Sequence, residues 1–461
     1  MRKLLALIFT AIKGSEEDLT KISINRAIIL LAVPMILEMV MESLFAVVDI
    51  YFVGKISEEA IGVVGLTESV LMIVYSLAIG MMTAAMAMVS RRIGEKNPEG
   101  ASVVAVQAII LAIAISIIFG ICGVVFARDI LELMGGSEKL ITEGLGFTQI
   151  MFATNIFIML IFLLNGVFRG AGNAVIAMRV LWLSNGLNII LDPLFIFGIG
   201  PFPELGVQGA AVATSIGRGV GVLVQLYILF NGKAIVKVAK RHLMIAFDII
   251  LNIIKVASGS TFQFLIASAS WLFIMRIISV NFSEEVLAGY IISIRVIIFT
   301  ILPSWGLANA AATLVGQNLG AQQPERAEKS VWTSAFYNML FMLFISIIFF
   351  TFARPIISIF SDNPNVIEAG KTSLRIICAG YVFFAYGMVL SQAFNGAGDT
   401  YTPTVLNIIA FWLIQIPLAY TLVQLDFGTK GVYWSIAISE SILAILSIYV
   451  FRKGKWKAVK I

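Results

Sequence analysis

Histidine occurs once in this chain of 461 residues and cysteine twice, and only 13% of the residues are charged. Each scarcity excludes something. A single histidine, His242, leaves no imidazole-based metal cluster and no histidine-dependent nucleophile triad. It stands beside Lys240 and Arg241 and is read as membrane-surface packing. Cys122 and Cys378 fall in apolar runs of different halves, without the spacing of a metal site or redox pair, and read as packing residues. No G-x4-G-K-[ST] occurs, so nothing points to ATP as a driving force. With 59% hydrophobic residues and a mean hydropathy of +0.97, the low charge also excludes a soluble globular protein. The chain is a polytopic membrane protein.

A bilayer core takes about 20 apolar residues as helix. Twelve such stretches are read, at 27–53, 60–89, 101–126, 144–166, 174–199, 206–231, 248–280, 286–315, 331–353, 374–395, 403–424 and 431–451. The connectors are short, so function must be built inside the bundle. The opening MRKLLALIFTAIKG has the charged start of a signal peptide but no small-residue cleavage site. Leu4, Leu5, Ile8, Phe9 and Ile12 recur at helical spacing, which predicts an interfacial amphipathic helix within 1–26.

Basic residues favour alternate loops. One set holds Arg2, Lys3, Lys13, Lys21, Arg26, Arg91, Arg92, Lys96, Arg169, Arg179, Lys233, Lys237, Lys240, Arg241, Arg326, Lys329 and the basic tail 452–461; the other holds Lys55, Arg128, Lys139, Arg354, Lys371 and Lys430. The bias predicts a plasma (inner) membrane protein with both termini cytoplasmic. The net charge of +5 reflects this bias and does not argue for a nucleic-acid partner. The lipid bilayer is the expected surrounding, and a monomer is expected.

Internal repetition organises the chain. F-R-G-A-G-N at 168–173 returns as F-N-G-A-G-D at 394–399, and V-S-R-R-I-G-E-K-N-P-E-G-A at 89–101 returns as V-G-Q-N-L-G-A-Q-Q-P-E-R-A at 315–327, both shifted by 226 residues. This predicts an all-α fold of twelve transmembrane helices in two pseudo-symmetric six-helix lobes, 27–231 and 248–451. The stretch 232–247 is read as a linker that lets the lobes rock. An even number of helices per repeat relates the lobes by an axis along the membrane normal.

Three acids interrupt the first span. At about 100° per residue, Glu38, Glu42 and Asp49 fall on one side of the helix together with Pro34. Lipid-facing carboxylates are costly, so this stripe is expected to face a lobe interior or watery cavity. The fifth span offers a matching face with Asn185, Asn188 and Asp192, followed by Pro193, which disturbs the backbone and frees carbonyls. Two acids, an amide and loosened carbonyls suit a cation. Thr214 is a weaker candidate. Equivalent positions in the second half fall near Ile274 and on Leu418, so that half lacks both acids and offers only Gln263 and Gln392 thereabouts. Glu68, Arg276, Arg295, Arg375 and Glu440 are candidates for pairs between the lobes. The methionines of the first two spans suit an adaptable cavity or ordinary helix packing equally.

Pro34, Asp49 and Gly54, the I-G-E-K-N-P loop, F-R-G-A-G-N, N-x3-D-P-x4-F-G and G-P-F-P-E-L-G-V-x-G-A-A together resemble the MATE (multidrug and toxic compound extrusion) transporters over nearly the whole chain. The resemblance implies two lobes around a central cleft and export of organic cations or drugs in exchange for inward protons or sodium, with no further cofactor. It also implies an ion-coupling role for Asp49, Asn188 and Asp192.

The rival within transport is a flippase for a lipid-linked or amphipathic substrate; a pyrophosphate cargo calls for cations, whereas the site read here is anionic. An intramembrane enzyme would need clustered catalytic residues that are missing. Sodium could use Asp49, Asn188, Asp192 and Thr214 as oxygen ligands, whereas a proton suits a desolvated carboxylate crowded by Glu38 and Glu42. The reading leans to protonation of Asp49 as the releasing event, with sodium sharing the site, and leaves H+ versus Na+ coupling open.

Overall fold

The computed structural model describes every residue except Met1, Glu16, Gly232 and Lys233; the side chains of Arg2, Leu4, Glu58 and Lys240 also lie outside the described set. The predicted Lys233 charge and the first step of the 232–247 connector therefore fall outside the described residues. Among them no strand occurs.

The first half comprises α1 (Arg2–Lys13), α2 (Ile24–Val53), α3 (Glu58–Gly94), α4 (Pro98–Val125), α5 (Ala127–Leu133), α6 (Glu138–Ala153), α7 (Asn155–Gly170), α8 (Ala174–Phe197) and α9 (Val207–Phe230). The second comprises α10 (Phe247–Asn281), α11 (Glu284–Gly320), α12 (Pro324–Ser358), α13 (Pro364–Ala379), α14 (Tyr381–Ala397), α15 (Tyr401–Asn407), α16 (Ile416–Gln424) and α17 (Gly428–Arg452), with a π-helical stretch Ile408–Gln415 joining α15 to α16. Among the described residues ten helices are long and apolar enough to span, and two bent pairs bring the number to twelve. The bent pairs are α6 with α7, at 42°, and α13 with α14, at 58°. They correct the fourth and tenth predicted spans, which start several residues late and run straight through the breaks at Thr154 and Gly380. Hydropathy cannot see a bend that keeps its apolar composition.

The repeat is visible in backbone detail. Lys96 and Gln322, separated by 226 residues, both adopt positive φ, 59° and 58°, and Gly172 and Gly398 do the same at 86° and 87°. Gly170 lies on the Met86 carbonyl as Gly396 lies on that of Ala312, so α7 meets α3 as α14 meets α11. Gly316 packs on its own repeat mate, Ser90, and Gly94 meets Gln317 as its mate Gly320 meets Arg91, the mate of Gln317; these contacts leave no room for a Cβ. A residue touches its own repeat mate only at the pseudo-twofold axis, which therefore passes between the ends of α3 and α11.

The two halves join at this end of the bundle, which also carries both termini. There Leu19, Ala27, Ile28, Leu31 and Met35 pack with Ala310 and Leu314 in one cluster. Gln317 donates to the Gly170 carbonyl at 3.0 Å, and Arg326 donates to the carbonyls of Leu19 and Ile22. Toward the opposite end, Val40, Leu44, Val47 and Ile50 of α2 emerge as exposed. The contacts on the terminal face seal the lobes to each other there.

Three local details go beyond the sequence pattern. The connector is no loose tether: Val236 and Val238 are buried, and Gln107 of α4 donates to the Met244 carbonyl at 2.9 Å and accepts from Ala246 N–H at 3.0 Å. The basic tail folds back, with Trp456 buried against Phe451 at 4.6 Å and Lys457 paired with Glu325 and Glu328. Cys378 packs in the core as read, but Cys122 is exposed on the outer surface.

Candidate functional site

One cavity of about 370 Å³ opens in the first lobe and reaches the second. The first span and its neighbours α3, α7 and α9 supply Glu38, Glu42, Asp49, Glu68, Arg169 and Arg218; α10 and α11 supply Phe264, Leu302, Trp305 and Asn309. Glu38, Glu42 and Asp49 thus share one cavity, and Glu68 joins them from α3. Met39, Met72, Met82 and Met151 also line it, whereas Met35, Met81, Met86 and Met88 are buried in helix contacts.

Glu38 is not a free acid. It is fully buried and lies 2.6 Å from Arg169 Nη2, with Arg169 Nε donating at 3.3 Å and Asn165 Nδ2 at 3.0 Å. This corrects the assignment of Arg169 to a basic loop. Arg169 sits in the last turn of α7, 2% exposed, and helical side chains lean toward the N-terminus of their helix, which carries the guanidinium back into the membrane. Coulomb attraction at about 4 Å is worth roughly 4 kcal/mol at an effective dielectric of about 20. Desolvating two ions costs several kcal/mol each. The extra hydrogen bonds decide the balance, so the pair is structural.

Glu42 accepts from Asn185 Nδ2 at 2.9 Å and stays half-buried. On the next turns of α8, Asn188 satisfies both neighbours when its Nδ2 donates to Asp192 Oδ2 at 2.9 Å and its Oδ1 accepts from the Thr214 hydroxyl and backbone N–H, each at 2.9 Å. Asp192 is fully buried and its Oδ1 has no hydrogen-bond partner. Thr214 lines the cavity, so Thr214, Asn188 and Asp192 form a polar relay leading from the cavity into α8. Asp49 of α2 lines the same cavity as Thr214, the outer member of that relay. Pro193 does not break α8, which runs unbroken to Phe197, but it has no N–H for the Ile189 carbonyl.

Pro34 lies outside the cavity, buried inside α2 one residue before Met35, whose carbonyl abuts Gly306 of α11. Gln263 lies on α10 away from this cavity, with its Oε1 unpartnered and its carbonyl accepting from Asn407 at 3.4 Å. The expected pairs between lobes are not formed by Glu68, Arg276, Arg295, Arg375 or Glu440: none lies within 4.0 Å of an opposite charge among the described residues. Arg375 instead donates to the Phe350 carbonyl at 2.8 Å.

Arg218 and Tyr75 escape the sequence reading. Arg218 Nη1 donates to the Tyr75 hydroxyl at 3.0 Å, and the guanidinium lies 5.6 Å from that ring's centroid. The signal was present: a lone arginine in the apolar run S-I-G-R-G-V meets the same cost as a lone acid. Counting the lining charges, Glu38 and Arg169 cancel, leaving three carboxylates, Glu42, Asp49 and Glu68, against Arg218.

The MatE family profile matches residues 34–194 and again 259–421, one match in each lobe. The "Probable multidrug resistance protein NorM" of Thermotoga maritima is 28% identical over 94% of this chain and 93% of its own length. The "FAD transporter" of Shewanella oneidensis is 24% identical over 93% and 95%. A crystal structure described as MATE in complex with MaL6 superposes with a TM-score of 0.90 at 26% identity, covering 94% of this chain and 97% of that one. With both lobes matched and the whole architecture shared, the chain belongs to the MATE family of membrane transporters.

Proposed function

We propose that the protein exports amphipathic organic compounds carrying positive charge, multidrug-type cargo among them, in exchange for an inward cation held at Asp49 and Asp192. The observation that carries this reading is the excess of unpaired carboxylate on a cavity also walled by methionine and aromatic rings. Similarity to the probable multidrug resistance protein of Thermotoga maritima supports a drug cargo. A lipid-linked pyrophosphate would meet three carboxylates there, which disfavours the flippase reading. The basic residues of the terminal face support an inner-membrane orientation with both termini in the cytoplasm.

For the coupling ion, the proton is favoured. Asp192 Oδ1 is buried without a partner, a position a proton can occupy. Loading the site repacks α2 near Pro34 and expels cargo from the cavity. One cation in for one monocation out is electroneutral, so the membrane potential adds its roughly 2.3 kcal/mol per charge per 100 mV only when a second ion enters. Reconstituted protein tests the reading: an imposed pH gradient without sodium should drive ethidium movement. If ethidium moves under no ion gradient at all, the exchange reading fails.

A further inference from the structure

Arg218 has no role in the ion relay and none in the Glu38 and Arg169 pair. It is 8% exposed, lines the cavity and forms no ion pair within 4.0 Å among the described residues. Of its five N–H groups, one is used, on Tyr75. A buried guanidinium with unused donors is costly unless something accepts from it. It also repels a purely cationic ligand drawn in by Glu42, Asp49 and Glu68. A ligand that satisfies both sides of the cavity carries a cationic amine and an anionic oxygen group.

The rings fix where the body of such a ligand lies. Phe264 and Trp305 stack at 6.3 Å and 12° on the second-lobe side, and Tyr75 meets Phe162 edge-on at 6.1 Å on the first-lobe side. A planar aromatic body between these walls directs an acid group to Arg218 and an amine to the carboxylates. The planar fork of arginine matches a carboxylate through two parallel hydrogen bonds.

We infer that Arg218 is a specificity-determining residue that anchors the carboxylate of zwitterionic aromatic substrates. The inference rests on the export reading above and deepens it. A matched pair of probes separates the two: norfloxacin, with an amine and a free carboxylate, and norfloxacin ethyl ester, with the same rings and amine but no anion. Proteoliposomes containing the wild-type chain should move both. Arg218→Gln should retain ester transport and lose norfloxacin transport on the order of tenfold at sub-saturating concentration, as loss of a charge-assisted bidentate contact implies. Arg218→Lys, which keeps the charge but not the fork, should fall between. Equal loss of both probes in a folded Arg218→Gln, or loss of neither, overturns the inference. If Arg218→Gln does not fold, Arg218→Lys decides alone: norfloxacin must fall while the ester does not. Wild-type movement of the ester without norfloxacin refutes the anchor and leaves the export reading standing. Movement of neither refutes both.

Discussion

Arg169 Nη2 and Glu38 Oε1 lie 2.6 Å apart across 131 residues of sequence, one at the end of α7 and the other midway along α2. The pair holds the first span against the fourth beside the cavity. Removing one partner strands the other as a buried charge. Glu38→Gln and Arg169→Met should each destabilise the purified protein by about 3–5 kcal/mol. The double variant should lose less than the sum, because the stranded charge disappears. Thermal unfolding in detergent checks this; strict additivity would mean that the two groups do not interact.

Asp49 and Asp192 occupy the two sides of the proposed ion site. Asp49→Asn and Asp192→Asn should each reduce efflux to background while the protein stays folded in the membrane. Under a proton gradient, Asn188→Ala should cost less than either. A sodium-only requirement, with Asn188→Ala as damaging as the aspartate changes, would reverse the choice of ion.

The seal on the terminal face depends on close backbone approach. A methyl group at Gly94 or Gly320 meets a carbonyl of the facing repeat, whereas Gly65 has nothing within 4 Å of its would-be Cβ. Gly94→Ala and Gly320→Ala should weaken the sealed state by about 1–3 kcal/mol, and Gly65→Ala should leave it unchanged. A cysteine replacing the cavity residue Asn309, in a Cys122→Ser background, reports the change: labelling by a membrane-impermeant maleimide from the terminal side should speed up in the first two variants only.

The segment before α2 is docked by charge. Burial pushes Asp18 upward, but hydrogen bonds from Lys96, at 2.7 Å, and from the Thr20 hydroxyl, at 2.6 Å, outweigh it and hold the carboxyl at about 2. A depressed folded value means that the contribution is present above the unfolded value of about 3.9 and is lost as pH falls through about 2. Proteolysis of residues 14–23 by pepsin should therefore accelerate between about pH 4 and pH 2. Asp18→Asn should cleave at the faster rate throughout. Both groups are partly exposed, so the effect is modest and weakens with salt.

The fold was legible because a bilayer permits few solutions: long apolar runs must be helices, and a repeat of six must keep its orientation. The alignment at 226 residues even foreshadowed which backbones would match, since Gly172 and Gly398 share a conformation that the paired G-A-G motifs had placed in register. The acid stripe was legible for the same reason, as helical periodicity puts Glu38, Glu42 and Asp49 on one side whatever surrounds them.

Periodicity says which side a residue takes and nothing about what waits there. Glu38 and Glu42 look alike in sequence, yet one meets Arg169 and the other meets only Asn185, because partners 131 and 143 positions away arrive by helix packing. Arg169 looked like a loop charge until the lean of its side chain was seen. Sequence by itself determined the membrane class, the two-lobed repeat and the stripe of acids, all consequences of local hydropathy and helical period. Only tertiary structure decided which acids are neutralised, that Asp192 keeps an unpartnered oxygen, that Arg218 enters the cavity and that the lobes close on the terminal face, because each depends on distances between helices that no local pattern encodes.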